Sequence, residues 1–188
     1  MENREHLMFC ALHLFSSRGY EAVGVQEIVE SAGLTKPTLY HYFGSKHGLL
    51  DAMLKEYYTD FNHRVREAAD YHGDLPLTLN HIAAAYFQFA RERRTFTRMA
   101  LALGFAPPSS EAYQAVLPYS REQYVLLEEM FAQAAENHGN MKGRQRAYAA
   151  TLIGMLNTYV IMFLNGHIDL DDQLLYQAVH QFMHGIFS

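Results

Sequence analysis

The amino-acid sequence predicts an all-α protein in which a small three-helix head is followed by a connecting helix and a larger helical body. Apolar residues recur at three- and four-residue spacing along almost the whole chain, which is the periodicity of amphipathic helices. Long alternations of valine, isoleucine and threonine, which are typical of strands, are absent. With 188 residues, of which 49% are hydrophobic, the chain can bury a sizeable core. The glycine and proline breaks divide it into about nine helices.

The head begins with two short helices that end at glycines. The apolar residues of each helix share one face: Leu7, Ala11, Leu14 and Phe15 in the first, and Val25, Ile28, Val29 and Ala32 in the second. The first helix starts near Arg4 and is followed by Gly19, at the C-terminal position that glycine favours. The second helix starts near Gly24 and ends at Gly33.

The third helix is short and polar on its surface. Only Leu34 separates Gly33 from Thr35, a residue type that caps helix N-termini. We therefore expect a helix that begins at Thr35, has Pro37 in its first turn and ends at Gly44.

The rest of the chain is predicted to form one connecting helix and five body helices. Ser45 is expected to cap the connecting helix, which runs to about residue 71. Its apolar residues again have helical spacing: Leu49, Leu50, Met53, Leu54, Tyr57, Phe61 and Val65. The body helices are expected at 75–92, 95–105, 109–137, 143–165 and 171–187.

The connection between the second and third helices is very short. Its residues, Ala32-Gly33-Leu34-Thr35, are too few for the helices to pack antiparallel, so the helices must cross steeply in a helix-turn-helix unit. In such a unit the second helix enters the major groove of DNA. The stretch GLTKPTLYHYFGSK, residues 33–46, supplies hydroxyl, imidazole and ammonium donors for phosphate oxygens. The candidate DNA contacts are Gln26, Thr35, Lys36, Pro37, Thr38, Tyr40, His41, Tyr42 and Lys46.

Three motif pieces occur in order along the head. They are Ala11-x-x-Leu14-Phe15-x-x-x-Gly19-Tyr20, then Val25-x-x-Ile28-Val29-x-x-Ala32-Gly33-Leu34, then Thr35-x-x-Thr38-Leu39-Tyr40-x-Tyr42-Phe43-x-Ser45-Lys46-x-x-Leu49-Leu50. With these pieces, the run from about Phe9 to Leu54 resembles the DNA-binding domain of the TetR family of transcriptional regulators.

The resemblance implies a homodimer that binds a palindromic operator in double-stranded DNA. Such a protein usually represses, and it releases DNA when a small molecule fills its body. Residues 1–45 would then be the helix-turn-helix DNA-binding domain, 46–73 the connecting helix, and 74–188 the ligand-binding and dimerisation domain.

Charge limits how the head can bind DNA. The formal net charge of −5 argues against a protein that coats nucleic acid along its whole surface. Residues 1–50 carry a net charge of −1, and their cations are Arg4, Arg18, Lys36 and Lys46. DNA contacts are therefore expected to use neutral donors and backbone amides, with a shallower salt dependence than that of a lysine-rich protein.

Methionine and aromatic residues are frequent in the body. Each one alone is typical of a core, but together they predict an adaptable apolar cavity for a small hydrophobic or aromatic effector. The candidate pocket residues are Phe96, Met99, Phe105, Tyr124, Met155 and Tyr159.

The last two helices are predicted to form the dimer interface. The 143–165 helix is apolar nearly all round, and the last helix has a wide apolar stripe that extends to Ile186. Two such helices from each protomer would form a four-helix interface about a two-fold axis. The candidate interface residues are Met155, Tyr159, Phe163, Leu175, Val179, Phe182 and Met183.

Other features favour a cytoplasmic protein without a metal, a cofactor or a membrane span. Cys10 lies in an apolar run, which indicates a buried thiol. The N-terminus is a poor signal peptide, and the apolar run 147–164 is short for a spanning helix and contains Asn157. His180 and His184 have a metal-binding spacing, but the sequence places no third ligand beside them.

The sequence thus predicts a DNA-binding regulator, with a ligand-released repressor as the main hypothesis. A constitutive DNA-binding protein, or a ligand-sensing helical protein without induction, is the alternative. An enzyme is not expected, because the sequence has no paired Glu-x-x-His set, nucleophile elbow or phosphate loop.

Overall fold

The computed structural model describes residues 2–185, and within that range the chain is helical, with no strand. The helices are α1 (Asn3–Arg18), α2 (Val25–Ser31), α3 (Lys36–Phe43), α4 (Lys46–Ala68), α5 (Leu75–Glu92), α6 (Arg94–Gly104), α7 (Glu111–Asn137), α8 (Gln145–Leu164) and α9 (Asp172–His184). A 3-10 turn at Gly139–Met141 lies between α7 and α8. The all-α prediction is confirmed. Ile186 and the predicted end of the last helix at 187 lie outside the described residues.

The chain forms two compact units whose limits differ from the predicted regions. The first unit comprises residues 1–59 and 95–118, and the second comprises 60–94 and 119–188. Three helices, α4, α6 and α7, therefore have residues in both units. The sequence assigned residues 95–118 to the body, whereas in the structure they cluster with the head.

The first unit is built on the packing of α1, α2 and α3 against one another. Its core residues are fully buried apolar side chains from four helices: Leu7, Ala11 and Phe15 of α1, Ile28 and Val29 of α2, Leu39 of α3, and Leu49, Leu50, Met53 and Leu54 of α4. The apolar stripes of the sequence predict this core closely, because helical spacing places these residues on the inner faces.

Local capping fixes where α4 begins. The hydroxyl of Ser45 accepts a hydrogen bond from the backbone N–H of Gly48 at 2.9 Å, so Ser45 caps α4 as predicted. A Cβ atom at Gly48 would lie 2.0 Å from the carbonyl oxygen of Phe43. Only glycine therefore allows the first turn of α4 to approach the end of α3 this closely.

The second unit is held by α5, which packs against both α8 and α9. Asp74 and Asp171 cap α5 and α9 by accepting N–H bonds from Leu77 and Leu174, at 2.9 and 2.8 Å. Aromatic packing adds to the core, and the ring of Phe61 stacks on that of Phe89 with centroids 4.3 Å apart.

The long apolar helix α8 is only partly covered within one copy of the chain. It has a mean hydropathy of 1.6, and 33% of its most apolar 18-residue window is buried. By length and composition alone α8 could cross a membrane, and it is the only such helix among residues 2–185. Apart from Arg146 in its first turn, its exposed residues are small: Ala147, Ala150, Thr151, Gly154 and Thr158.

Candidate nucleic-acid interface

The connection between α2 and α3 has the geometry expected of a helix-turn-helix unit. Gly33 has a φ of 62°, in the left-handed region that favours glycine. The N–H of Leu34 donates to the carbonyl of Val29 at 2.8 Å, and the N–H of Gly33 donates to that of Glu30 at 3.0 Å. These bonds close the end of α2 and direct the chain into α3 with one residue between Gly33 and Thr35.

The outer side of α3 presents polar and aromatic groups to solvent. Leu39 is fully buried and anchors the helix, while Tyr40 is 48% and Tyr42 is 41% exposed. We call the exposed or half-exposed candidates Thr35, Lys36, Pro37, Thr38, Tyr40, His41 and Tyr42 the α3 surface.

The first turn of α3 places its two threonines together. Thr35 has extended backbone geometry at the N-cap position, as predicted, but its hydroxyl makes no bond to a backbone N–H of the helix. It lies 2.9 Å from the hydroxyl of Thr38 instead. The N–H groups of Thr38 and Leu39 donate to the carbonyl of Thr35 at 3.0 and 3.2 Å, and Pro37 has no N–H.

Most cations of the head are paired within the chain. Arg18 forms an ion pair with Glu27, and Arg4 lies 3.8 Å from Glu56. Lys36 is exposed and has no hydrogen bond or ion pair with another residue of the range 2–185. The positive charge that the α3 surface offers to a phosphate is therefore concentrated in this one side chain.

Lys46 has an internal role that the sequence did not predict. Its ammonium donates to the carbonyl oxygens of Tyr20 at 3.2 Å and Val23 at 3.1 Å. It also lies 4.0 Å from the centroid of the Tyr20 ring, within the range of a cation–π contact. Two of its three N–H donors are thus used inside the head, and its contact with DNA stays a prediction.

Gln26 is also engaged within the chain. Its side-chain amide donates to the carboxylate of Glu30 on the exposed side of α2. The amide of Gln26 retains a carbonyl oxygen and a second N–H for other partners, so a DNA contact from Gln26 also stays a prediction.

The predicted ligand-pocket residues are divided between the two units. In the first unit, Phe96 and Met99 are buried, whereas Phe105 is 81% exposed. Phe105 follows α6 in a turn, and its place in a ligand pocket stays a prediction. In the second unit, Tyr124 is 43% exposed, and Met155 and Tyr159 are half-buried.

A small cleft lies at the connection between α8 and α9. Its volume is about 180 Å³, and its lining residues are Arg94, Phe163, Gly166, His167, Ile168 and Asp169. This is below the range of about 300–1,000 Å³ that is typical of sites for drug-sized ligands. None of the six predicted pocket residues lines this cleft.

The predicted interface residues have different degrees of exposure within one copy. Val179 is buried, and the other six are half-buried: Met155, Tyr159, Phe163, Leu175, Phe182 and Met183. Their role in dimerisation is therefore untested by a single chain. The exposed small residues of α8 were not among the predicted interface residues.

Histidines do not form a metal centre with other ligands among the described residues. The rings of His180 and His184 have centroids 4.5 Å apart, as their spacing on a helix requires. No group of three or more histidine, cysteine, aspartate or glutamate side chains suited to a metal occurs within residues 2–185.

Sequence reasoning missed one polar cluster in the first unit. We call Tyr20, Lys46, His47 and Glu111 the Tyr20 cluster. The Tyr20 hydroxyl donates to the carboxylate of Glu111 at 2.5 Å. Burial, followed by this hydrogen bond, raises the pKa of Tyr20 above its ordinary value, so the hydroxyl remains protonated. No local signal predicts a contact between residues so far apart in the chain.

The tight turn, the buried anchor Leu39 and the polar α3 surface define a helix-turn-helix protein. Residues 10–53 match the family model described as bacterial regulatory proteins, tetR family. These residues form a DNA-binding head of the TetR family type, as the motifs predicted.

Curated relatives resemble part of the chain. It is 36% identical over 88 residues to the HTH-type transcriptional activator FasR of Mycolicibacterium smegmatis, covering 47% of this chain and 40% of that protein. It is 35% identical over 66 residues to the HTH-type transcriptional repressor NemR of Escherichia coli, covering 35% of this chain and 33% of that protein. The matches thus span less than half the length of these relatives, which include both an activator and a repressor.

Solved structures extend the likeness to the whole fold. A putative fatty acid metabolism regulator from Clostridium perfringens has a TM-score of 0.82 at 16% identity, covering 97% of this chain and 99% of that one. The regulator FadR from Bacillus subtilis, solved in complex with stearoyl-CoA, has a TM-score of 0.79 at 19% identity, covering 97% of this chain and 98% of that one. At such identities the likeness establishes the fold.

Proposed function

We propose that the chain is a sequence-specific DNA-binding transcriptional regulator, a repressor that binds a palindromic operator as a homodimer and is released by a small hydrophobic or aromatic ligand. The observation that carries this proposal is the α3 surface, where Lys36, Tyr40 and Tyr42 are exposed directly after a helix-turn-helix turn. The proposed place of action is the cytoplasm, where the operator is.

The α3 surface suits DNA because its donors are accessible while its anchor is rigid. The N-terminal residues of a recognition helix reach base edges, and flanking side chains bind phosphates. Lys36 and Thr38 lie in the first turn of α3 and are the proposed base-edge or phosphate contacts. Tyr40, His41 and Tyr42 are the proposed phosphate donors further along the helix, with Thr35, Pro37, Gln26 and Lys46 at the margin of the contact.

Dimerisation is supported by the exposed side of α8. The hydroxyls of Thr151 and Thr158 donate to the carbonyls of Ala147 and Gly154, both at 2.9 Å, within their own helix. Their donors are thereby satisfied, so this side presents methyl groups and a glycine that allow a second helix to approach closely. A second copy of the chain would cover this surface by two-fold symmetry.

The proposed effector class follows from the body composition and from a neighbour in fold. The Bacillus subtilis regulator of similar fold was solved with stearoyl-CoA. Long-chain acyl thioesters are therefore the first compounds to compare with flat aromatic compounds. A ligand that binds the folded state raises the melting temperature and, under the proposal, lowers the affinity for DNA. A ligand that raises the melting temperature without releasing DNA would favour the alternative, a ligand-sensing protein without induction.

Selection of bound duplexes from a random DNA library tests the DNA-binding function. The purified full chain is expected to enrich an inverted repeat, because two symmetric heads read two half-sites. Enrichment of a single, non-repeated site would contradict the homodimer arrangement. No enrichment at low or moderate salt would contradict the function itself.

A further inference from the structure

We propose that Glu111, which lies outside the helix-turn-helix unit, is a positioning residue for DNA binding. It acts through Tyr20 and His47 to hold the first turn of α4, and thereby the end of the recognition helix α3. This inference rests on the proposed function, because it concerns how the head is shaped for DNA.

Glu111 is the first residue of α7 and contacts two parts of the head. One carboxylate oxygen accepts the Tyr20 hydroxyl bond at 2.5 Å. The other lies 3.5 Å from Nδ1 of His47. That Nδ1 atom is buried and has no hydrogen-bond partner among residues 2–185. The Glu111 carboxylate is the acidic group that lies beside it.

Tyr20 links Glu111 to the start of α4. Its side chain is 2% exposed, and its ring packs edge-on against Phe15 with centroids 5.1 Å apart. The ammonium of Lys46 lies over the same ring and binds the backbone carbonyl of Tyr20 at 3.2 Å. A displacement of Tyr20 therefore moves the first residue of α4.

The first turn of α4 in turn packs against the end of α3. His47 is held to Asp51 of its own helix at 3.2 Å, and it precedes Gly48. Gly48 lies against the carbonyl oxygen of Phe43, the last residue of α3, closely enough to exclude any Cβ. Close-packed contacts of this kind leave little room for adjustment, so a shift of the first turn alters the direction of α3.

α7 is divided between the two units, and Glu111 lies in its N-terminal segment. Residues up to Pro118 belong to the first unit, and those from Tyr119 belong to the second. Pro118 lies inside α7 and has no N–H to donate to the carbonyl of Gln114. The segment 111–117 is therefore joined to the rest of α7 with one helical bond fewer than usual.

Two substitutions in the full chain distinguish a positioning role of Glu111 from a purely electrostatic one. Glu111→Gln removes the carboxylate charge, and Tyr20→Phe removes the hydroxyl without a change of charge. Both are expected to weaken binding of the selected duplex roughly three- to tenfold. A purely Coulombic role of Glu111 predicts the opposite sign for Glu111→Gln, because losing an acidic charge strengthens attraction to phosphates. The control is Glu128→Gln, at an exposed residue of the same helix.

A double variant and the measurement of amide hydrogen exchange complete the test. The double variant is expected to lose less affinity than the product of the single losses, because both changes break one contact. Amide hydrogen exchange of Gly48 and Leu49, which bond to Ser45, is expected to speed up roughly three- to tenfold in both single variants and not in Glu128→Gln.

The outcomes distinguish this inference from the proposed function. Unchanged or tighter DNA binding by Glu111→Gln, or unchanged exchange in the first turn of α4, overturns the positioning role. Losses that multiply independently in the double variant also overturn it. If the wild type selects no duplex, the proposed function fails and the role of Glu111 in DNA binding fails with it, whatever the exchange rates show about the turn.

Discussion

The ammonium of Lys46 lies 3.1 Å from the carbonyl oxygen of Val23, so a cation from the start of α4 is bound to the loop between α1 and α2. The two lysines of the head therefore have different roles. Lys46 holds two parts of the head together, whereas Lys36 is exposed on the α3 surface.

Lys46→Met is expected to destabilise the protein. Methionine keeps the apolar stem but cannot donate to the carbonyls of Tyr20 and Val23, and hydrogen bonds to charged groups contribute about 1.5–3 kcal/mol each. We expect a loss of roughly 1–3 kcal/mol in the free energy of unfolding, measured by urea denaturation. This is less than the sum for two such bonds, because Lys46 is only half-buried and water screens its charge. The comparison is Lys36→Met, for which we expect no measurable loss. Equal stability of the two variants would contradict the internal role of Lys46.

Lys36→Ala is expected to change the salt dependence of DNA binding. Each phosphate neutralised by a cation adds about 0.9 to the slope of log affinity against log salt. Because the proposed dimer brings two copies of Lys36 to one operator, the slope should fall by about two if Lys36 contacts a phosphate. If Lys36 reads a base edge instead, the slope stays and the preferred sequence changes at one position of each half-site. A variant that keeps both the slope and the sequence preference would remove Lys36 from the interface.

Gly154→Arg is expected to abolish the proposed dimer while leaving the fold intact. A Cβ atom at Gly154 meets nothing within 4 Å in one copy, so the substitution is tolerated inside the chain. A second α8 packed on this surface leaves no room for arginine. Sedimentation analysis should show monomers for Gly154→Arg and dimers for the matched control Gly104→Arg, where a Cβ atom also meets nothing within 4 Å. A dimeric Gly154→Arg variant would place the interface elsewhere.

The ion pair between Arg64 and Glu92 gives a pH-dependent prediction. The Arg64 guanidinium, 2.7 Å away, and then the Gln88 amide hold the pKa of the Glu92 carboxyl below its ordinary value. The unfolded state therefore binds a proton at a higher pH than the folded state does, so the stabilisation is complete above about pH 5 and is lost as pH falls through the folded pKa.

Glu92→Gln should accordingly reduce the melting temperature at pH 7, and the difference from the wild type should shrink steadily as the pH is lowered from about 5 towards 3. Glu129→Gln, an exposed residue of α7, serves as the control and should show little difference at either pH. A difference that persists at pH 3 would mean that Glu92 stabilises the fold by packing and not by its charge.

The sequence predicted the helices closely because capping residues and glycines mark where they begin and end. The bounds of α3 follow from Thr35 and Gly44, and the start of α4 follows from Ser45, all within the reach of local rules. The exposed character of Tyr40 and Tyr42 also followed from helical spacing around Leu39.

Contacts between distant parts of the chain could not be predicted in this way. Tyr20 and Glu111 are each unremarkable in the sequence, and only packing brings them to hydrogen-bonding distance. The position of Lys46 beside a helix N-terminus predicted a phosphate contact, but no local signal indicated that two backbone carbonyls of a neighbouring loop bind it. Phe105 was assigned to a cavity on its apolar character alone, and its exposure depends on how the turn after α6 is placed.

The most direct test of the central claim is the affinity of the full chain for its selected duplex compared with a scrambled duplex of equal length and composition. We expect the wild type to prefer the selected duplex by at least about a thousandfold at physiological salt. Tyr40→Ala should lower affinity for the selected duplex without a change in melting temperature, because Tyr40 is exposed. Equal affinity of the wild type for the two duplexes would contradict the claim that this head reads a DNA sequence.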